Sequence, residues 1–172
     1  EKQHFITARS PRFFSIGTMT DIGPQSVLHQ RKKMKSGLKL SKKAAAAWYS
    51  LRMDADPLQW LLVKPEKKKL KLACKGNGDY AELVTNLGED EVLFGVFAFR
   101  PDGGDRKFAF ISSIGERVAG MARASAGMTR AGAQLLFEGT VCDVACIEAS
   151  DAAPEVVEAK IAATLHVESV VL

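Results

Sequence analysis

Apolar positions along the chain alternate between a helical and a strand period. Leu40, Ala44, Ala47, Trp48 and Leu51 recur at three- and four-residue spacing, one face of an amphipathic helix. The alanine run from Ala44 to Ala47 supports the same reading by propensity. This pattern sets in at about Ser36, and Asp54, Asp56 and Pro57 end it. Leu58 to Val63 reads as a strand, and Lys64 to Lys68 as a turn in which Pro65 is tolerated. Lys69 to Cys74 then alternates, with Leu70, Leu72 and Cys74 on one face and Lys69, Lys71 and Ala73 on the other. That is the pattern of a half-buried strand. After a turn at Gly76, Asn77 and Gly78, the residues Tyr80, Leu83, Val84 and Leu87 fall on one helical face, and Gly88 stops the helix as a C-terminal cap.

Val92 to Arg100 is apolar enough for a central strand; Pro101 to Gly104 forms a hairpin loop, and Lys107 to Ile114 the paired strand. Gly115 opens a helix-prone region reaching Glu138, weakened by Gly120, Gly127 and Gly132, whose apolar positions, Leu135 and Leu136 among them, are expected to face the sheet. Thr140 to Ile147 reads as a strand. Ser150 or Asp151 is expected to cap a last helix with Pro154 in its first turn, carrying Val156, Val157, Ala159, Ile161 and Leu165. The order predicts an α/β fold, a single mixed β-sheet of about five strands flanked by helices on both faces. This domain spans residues 36–172. Residues 1–35 lack periodicity and are expected to form a basic, largely irregular N-terminal extension.

The net charge of +4 favours an acidic partner without choosing one. Two basic runs stand out, Arg31 to Lys35 and Lys64 to Lys71. Aromatic residues do not interleave with them as a base-stacking surface requires, so no nucleic acid partner is expected. No stretch approaches the roughly 20 apolar residues of a membrane span, and no membrane partner is expected. Cys74, Cys142 and Cys146 are too few and too scattered for a disulfide framework, and read as small buried hydrophobes. Trp48, Trp60 and Tyr80 read as core. The Lys75 to Asp79 turn lacks the spacing of a phosphate loop, and His4, His29 and His166 form no metal or base arrangement. No catalytic residue, metal site or cofactor is expected.

The string Arg106-Lys107-Phe108-Ala109-Phe110-Ile111-Ser112-Ser113-Ile114-Gly115-Glu116 resembles the central signature of the actin-depolymerising-factor homology family. Its coactosin branch has a basic residue, Lys-Phe, a hydrophobic strand and then Trp-Ile-Gly-Glu. Ser113 stands where that branch has tryptophan. Val118, Gly120, Arg123, Ala124 and Gly127, and the preceding strand from Leu93 to Arg100, fall where coactosins have similar residues. The resemblance implies a module without a catalytic centre that binds the side of filamentous actin, cytoplasmic and cytoskeletal in location. It assigns contact to Lys107 and to a second position, a lysine in the family, that falls on Gln134. Arg130, one turn earlier, is a stand-in, and Arg106 and Arg123 are supporting cations. The alternative keeps the fold for another partner: a structural subunit of a larger cytoskeletal or axonemal assembly, held through the basic arm. By default, Arg123 and Arg130 are a solvated helix face, and the Lys64 to Lys71 cluster is a hairpin tip protected from edge pairing.

Overall fold

The computed structural model describes residues 37–172. The expected arm over residues 1–35 lies outside them. Among the described residues seven strands form the sheet: β1 (Lys39–Leu40), β2 (Trp60–Glu66), β3 (Lys69–Gly76), β4 (Val92–Pro101), β5 (Lys107–Ile114), β6 (Thr140–Cys146) and β7 (Val170–Val171). The helices are α1 (Lys42–Arg52), α2 (Tyr80–Thr85), α3 (Gly120–Gln134) and α4 (Pro154–Leu165), with a 3-10 turn at Ala149–Ala152. Strand order is β1-β3-β2-β4-β5-β6, and β7 pairs with the end of β4. The β2–β3, β2–β4 and β4–β5 pairs are antiparallel, while β1–β3 and β5–β6 are parallel. The expected mixed sheet is present, with two two-residue strands beyond the expected five.

Alternation along the central strands divides the core in two. Trp60 and Leu62 of β2, Phe97 and Phe99 of β4, and Ala109 and Ile111 of β5 meet Tyr80 and Leu83 of α2 and Val157 and Ile161 of α4. On the opposite face, Leu61, Val63, Phe94, Val96 and Phe110 meet Ala44, Ala47, Trp48 and Leu51 of α1, with Ala133 and Phe137 at the end of α3. Trp48 sits edge-on to Phe108 and Phe137 at 5.5 and 5.6 Å between ring centres, a preferred aromatic geometry. Trp60 is buried, and its indole Nε1 donates to Glu82 Oε2 at 3.1 Å, which meets the hydrogen-bonding need of a buried indole.

Several local expectations are corrected. The helical pattern, whose first apolar position was Leu40, yields a helix only from Lys42. Lys39–Leu40 pair with β3 instead, and the Ser41 hydroxyl caps α1 by accepting from the Ala44 N–H at 3.2 Å. β2 runs on through Lys64 and Pro65 to Glu66, leaving Lys67 and Lys68 as a tight turn with Lys67 left-handed (φ 54°). Pro65 is tolerated because β4 pairs only Trp60 to Val63, so its missing N–H costs no bond on that side. Leu70, Leu72 and Cys74 do not share a face. The register steps from Leu62↔Cys74 to Val63↔Leu72, making Ala73 the extra residue of a bulge. Leu72 therefore packs on the α1 side and Cys74 on the α2 side.

Gly88 does not cap α2, which ends at Thr85 with Asn86 as its C-cap. α3 starts only at Gly120, after a turn through Gly115. Leu136 packs against the core, but the deeply buried residue there is Phe137. Neither Ser150 nor Asp151 caps the last helix. Asp151 instead closes the 3-10 turn, accepting from the Ile147 and Glu148 N–H groups at 2.9 and 3.2 Å, and Pro154 opens α4. Cys142 and Cys146 are buried and Cys74 is half-buried.

Candidate functional site

β5 carries the signature string and sits between β4 and β6, so its two ends project from opposite rims of the sheet. Lys107 is its first residue, paired with Phe99. By alternation it stands on the side of Ala109 and Ile111, the α2–α4 side. Its ammonium has no hydrogen bond or ion pair among the described residues. The adjoining loop is held firmly. Asp102 and Gly103 are consecutive left-handed residues (φ 48° and 67°), as tight hairpin turns require. The Asp102 carboxylate accepts from the backbone N–H groups of Glu168 and Ser169 at 3.1 and 2.8 Å, tying the loop to the C-terminal tail. Lys107 therefore projects beside a fixed loop.

The other candidate cations are engaged within the fold. Arg106 is half-buried, lies 5.6 Å from the Phe108 ring centre, and donates from Nη2 to the Leu58 carbonyl and to Gln59 Oε1. Its buried Nε has no hydrogen-bond partner among the described residues. Desolvation lowers its pKa from the ordinary arginine value. Arg123 turns back along α3 and donates to the carbonyls of Gly115 and Glu116 at 3.0 and 2.9 Å, clasping the turn that leads into the helix. Arg130 pairs with Asp143 of β6 at 2.8 Å. Gln134 is half-buried at the last position of α3.

At about 100° per residue, Arg123, Arg130 and Gln134 share one side of α3. α3 packs by Ala133, and Phe137 just beyond it, on the α1 side, opposite the face to which alternation assigns Lys107. Lys107 and the α3 residues thus stand on different faces of the sheet near its β6 edge. Of the basic cluster, Lys64 pairs with Glu91 at 2.5 Å and Lys71 with Glu66 at 2.6 Å. Lys67 and Lys68 border a groove against Met128 and Thr129 of α3.

Sequence reasoning missed the outward face of α3. Met121 and Met128 are 89% and 80% exposed. Their seven-residue spacing, off the phase of Ala126 and Ala133, was the available signal. Among the described residues no cluster of His, Cys, Asp or Glu could hold a metal, and no helix is long and apolar enough to cross a membrane. The buried thiols of Cys142 and Cys146 are pushed up to about 12 and about 11 by desolvation, so they are poor nucleophiles.

Comparison with known proteins bears on the fold and the family. Coactosin of Dictyostelium discoideum is 29% identical over 111 residues, covering 62% of this chain and 76% of that protein. The crystal structure of coactosin from Entamoeba histolytica superposes with a TM-score of 0.66 at 20% identity, covering 76% of this chain and 98% of the other. Mouse coactosin, an actin filament binding protein, superposes with a TM-score of 0.61 at 21% identity, covering 73% and 90%. The profile of the cofilin/tropomyosin-type actin-binding proteins matches residues 37–162. The chain therefore belongs to the cofilin/tropomyosin-type actin-binding protein family, in its coactosin-like branch.

Proposed function

We propose that this protein binds the side of actin filaments, reversibly and without catalysing a reaction, as a cytoskeletal protein of the cytoplasm. The observation that carries the reading is Lys107, an uncommitted ammonium at the start of the signature strand beside an anchored loop. A point charge held this way suits an acidic extended surface and makes association salt-sensitive. Arg106 and Arg123 act one step back from the contact, Arg106 by fixing the strand entry to the α1–β2 connection and Arg123 by fixing the turn into α3. Arg130 and Gln134 extend the surface along α3, with Arg130 charge-balanced by Asp143.

The test is cosedimentation with actin filaments at low and moderate salt. Pelleting that fades with salt and weakens in Lys107→Ala supports the proposal. Undiminished pelleting of Lys107→Ala removes Lys107 from the site. No pelleting at low salt removes actin as the partner.

A further inference from the structure

The end of β5 away from Lys107 borders a small cavity of about 90 Å³. β5 and β6 are parallel neighbours, with Ser113 paired to Cys146. The chain leaves them separately, from β5 into the Gly115–Glu116 turn and from β6 into the 3-10 turn. Divergence beyond the carboxyl ends of parallel strands opens a crevice, the usual ligand position in open α/β sheets. Here the walls include Val84, Leu87, Ile114 and Ile147, with Ser113 and Cys146 also lining the space. Ser113 is 7% exposed, and its hydroxyl makes no hydrogen bond among the described residues.

The charge at this cavity is opposite to that of the protein. Glu89, Glu116 and Glu148 line it, although the chain carries a net charge of +4. Arg117 offsets part of this by pairing with Glu89 at 2.9 Å and Asp90 at 3.0 Å. The region is braced before any ligand arrives. Arg123 holds the Gly115 and Glu116 carbonyls, and the Glu116 carboxylate accepts from the Ala149 N–H at 3.4 Å.

We propose that this cavity receives one aliphatic side chain, of leucine or valine size, from a basic segment of a partner protein. Size selects the anchor, because a cavity that takes a benzene ring measures roughly 150 Å³. The glutamates select basic flanking residues, and the rigid rim lowers the ordering cost of docking. The strand rise places the cavity roughly 20 Å from Lys107, so the two surfaces can be occupied independently.

The test is a ¹⁵N–¹H NMR titration with three capped tripeptides, Arg-Leu-Arg, Arg-Gly-Arg and Glu-Leu-Glu. Arg-Leu-Arg is expected to shift the amides of Ser113, Gly115 and Ile147 and to bind at least tenfold tighter than either control. Ser113→Leu, which fills the cavity from within, is expected to weaken it tenfold or more. Should that variant fail to fold, Glu116→Gln is expected to weaken binding by a smaller factor. Lys107→Ala is expected to bind the peptide unchanged. Equal binding of Arg-Gly-Arg, shifts confined to other surfaces, or no shift at millimolar Arg-Leu-Arg would overturn the proposal.

Discussion

Arg130 of α3 and Asp143 of β6 meet at 2.8 Å with their side chains 35% and 28% exposed, which makes this ion pair the clasp between the long helix and the last strand of the sheet order. Part-buried pairs lose more when one partner is left alone than when both go. Arg130→Ala and Asp143→Ala are each expected to lower unfolding stability, and the double variant by less than the sum. The coupling should be about 1 kcal/mol by urea denaturation. Strict additivity would mean that the pair contributes nothing.

Lys107 and Arg106 should separate in experiment although they are adjacent. Lys107→Ala removes a charge with no partner among the described residues, so its midpoint of thermal unfolding should stay within a degree or two while filament pelleting falls by about tenfold, the equivalent of ~1.4 kcal/mol. Arg106→Ala removes bonds to Leu58 and Gln59 and cover over Phe108, so it should lose about 1–3 kcal/mol of stability. An Arg106→Ala protein as stable as the parent would return Arg106 to the list of free surface cations.

Gly115 is required by close approach. A Cβ there would collide with the backbone carbonyls of Glu89 and Gly88, neither of which can rotate away as a side chain could. Gly115→Ala is expected to cost about 1–3 kcal/mol. Because it would push the α2–β4 connection outward, it should also raise hydrogen exchange at Glu91 and Arg117, whose N–H groups bond within this turn.

The thiols set a pH limit. Burial raises Cys142 to about 12 and Cys146 to about 11 from an ordinary value of 9.0, so the folded protein retains protons that the unfolded chain releases. The resulting contribution is complete below about pH 9 and is lost as pH rises through about 11 to 12. Thermal stability should therefore decline above pH 9, and Cys142→Ala with Cys146→Ala should flatten that decline from a lower starting point. In the native protein at pH 8, iodoacetamide should label the half-buried Cys74 first. Faster labelling of Cys142 would contradict its burial.

Strong periodicity made the architecture legible. Trp48, Trp60 and Tyr80 lie in the core as their patterns indicate, and β5 spans Lys107–Ile114 as read from the sequence. The failures occur where long-range pairing overrides local pattern. Nothing local to Lys69–Cys74 shows that Ala73 will bulge, because the bulge depends on register with β2. Lys39–Leu40 and Val170–Val171 are too short to carry a pattern and form only because β3 and β4 offer edges to pair with. Of the candidate site, the place of Lys107 at the start of β5 was legible in the sequence. Whether a given arginine is free depends on carbonyls and carboxylates distant in sequence, such as Leu58 for Arg106 and Asp143 for Arg130.

The outer edge of β6 has a further consequence. Among the described residues no strand pairs with it. Its register against β5 steps from Phe108↔Thr140 to Ala109↔Cys142, leaving Val141 as the extra residue of a bulge. A bulge and a tethered charge are both devices that discourage strands of neighbouring molecules from adding to an open edge. The clasp that anchors the long helix is thus expected also to discourage edge-to-edge association. Loss of Asp143 should appear in concentrated solution as self-association before it appears in dilute solution as unfolding.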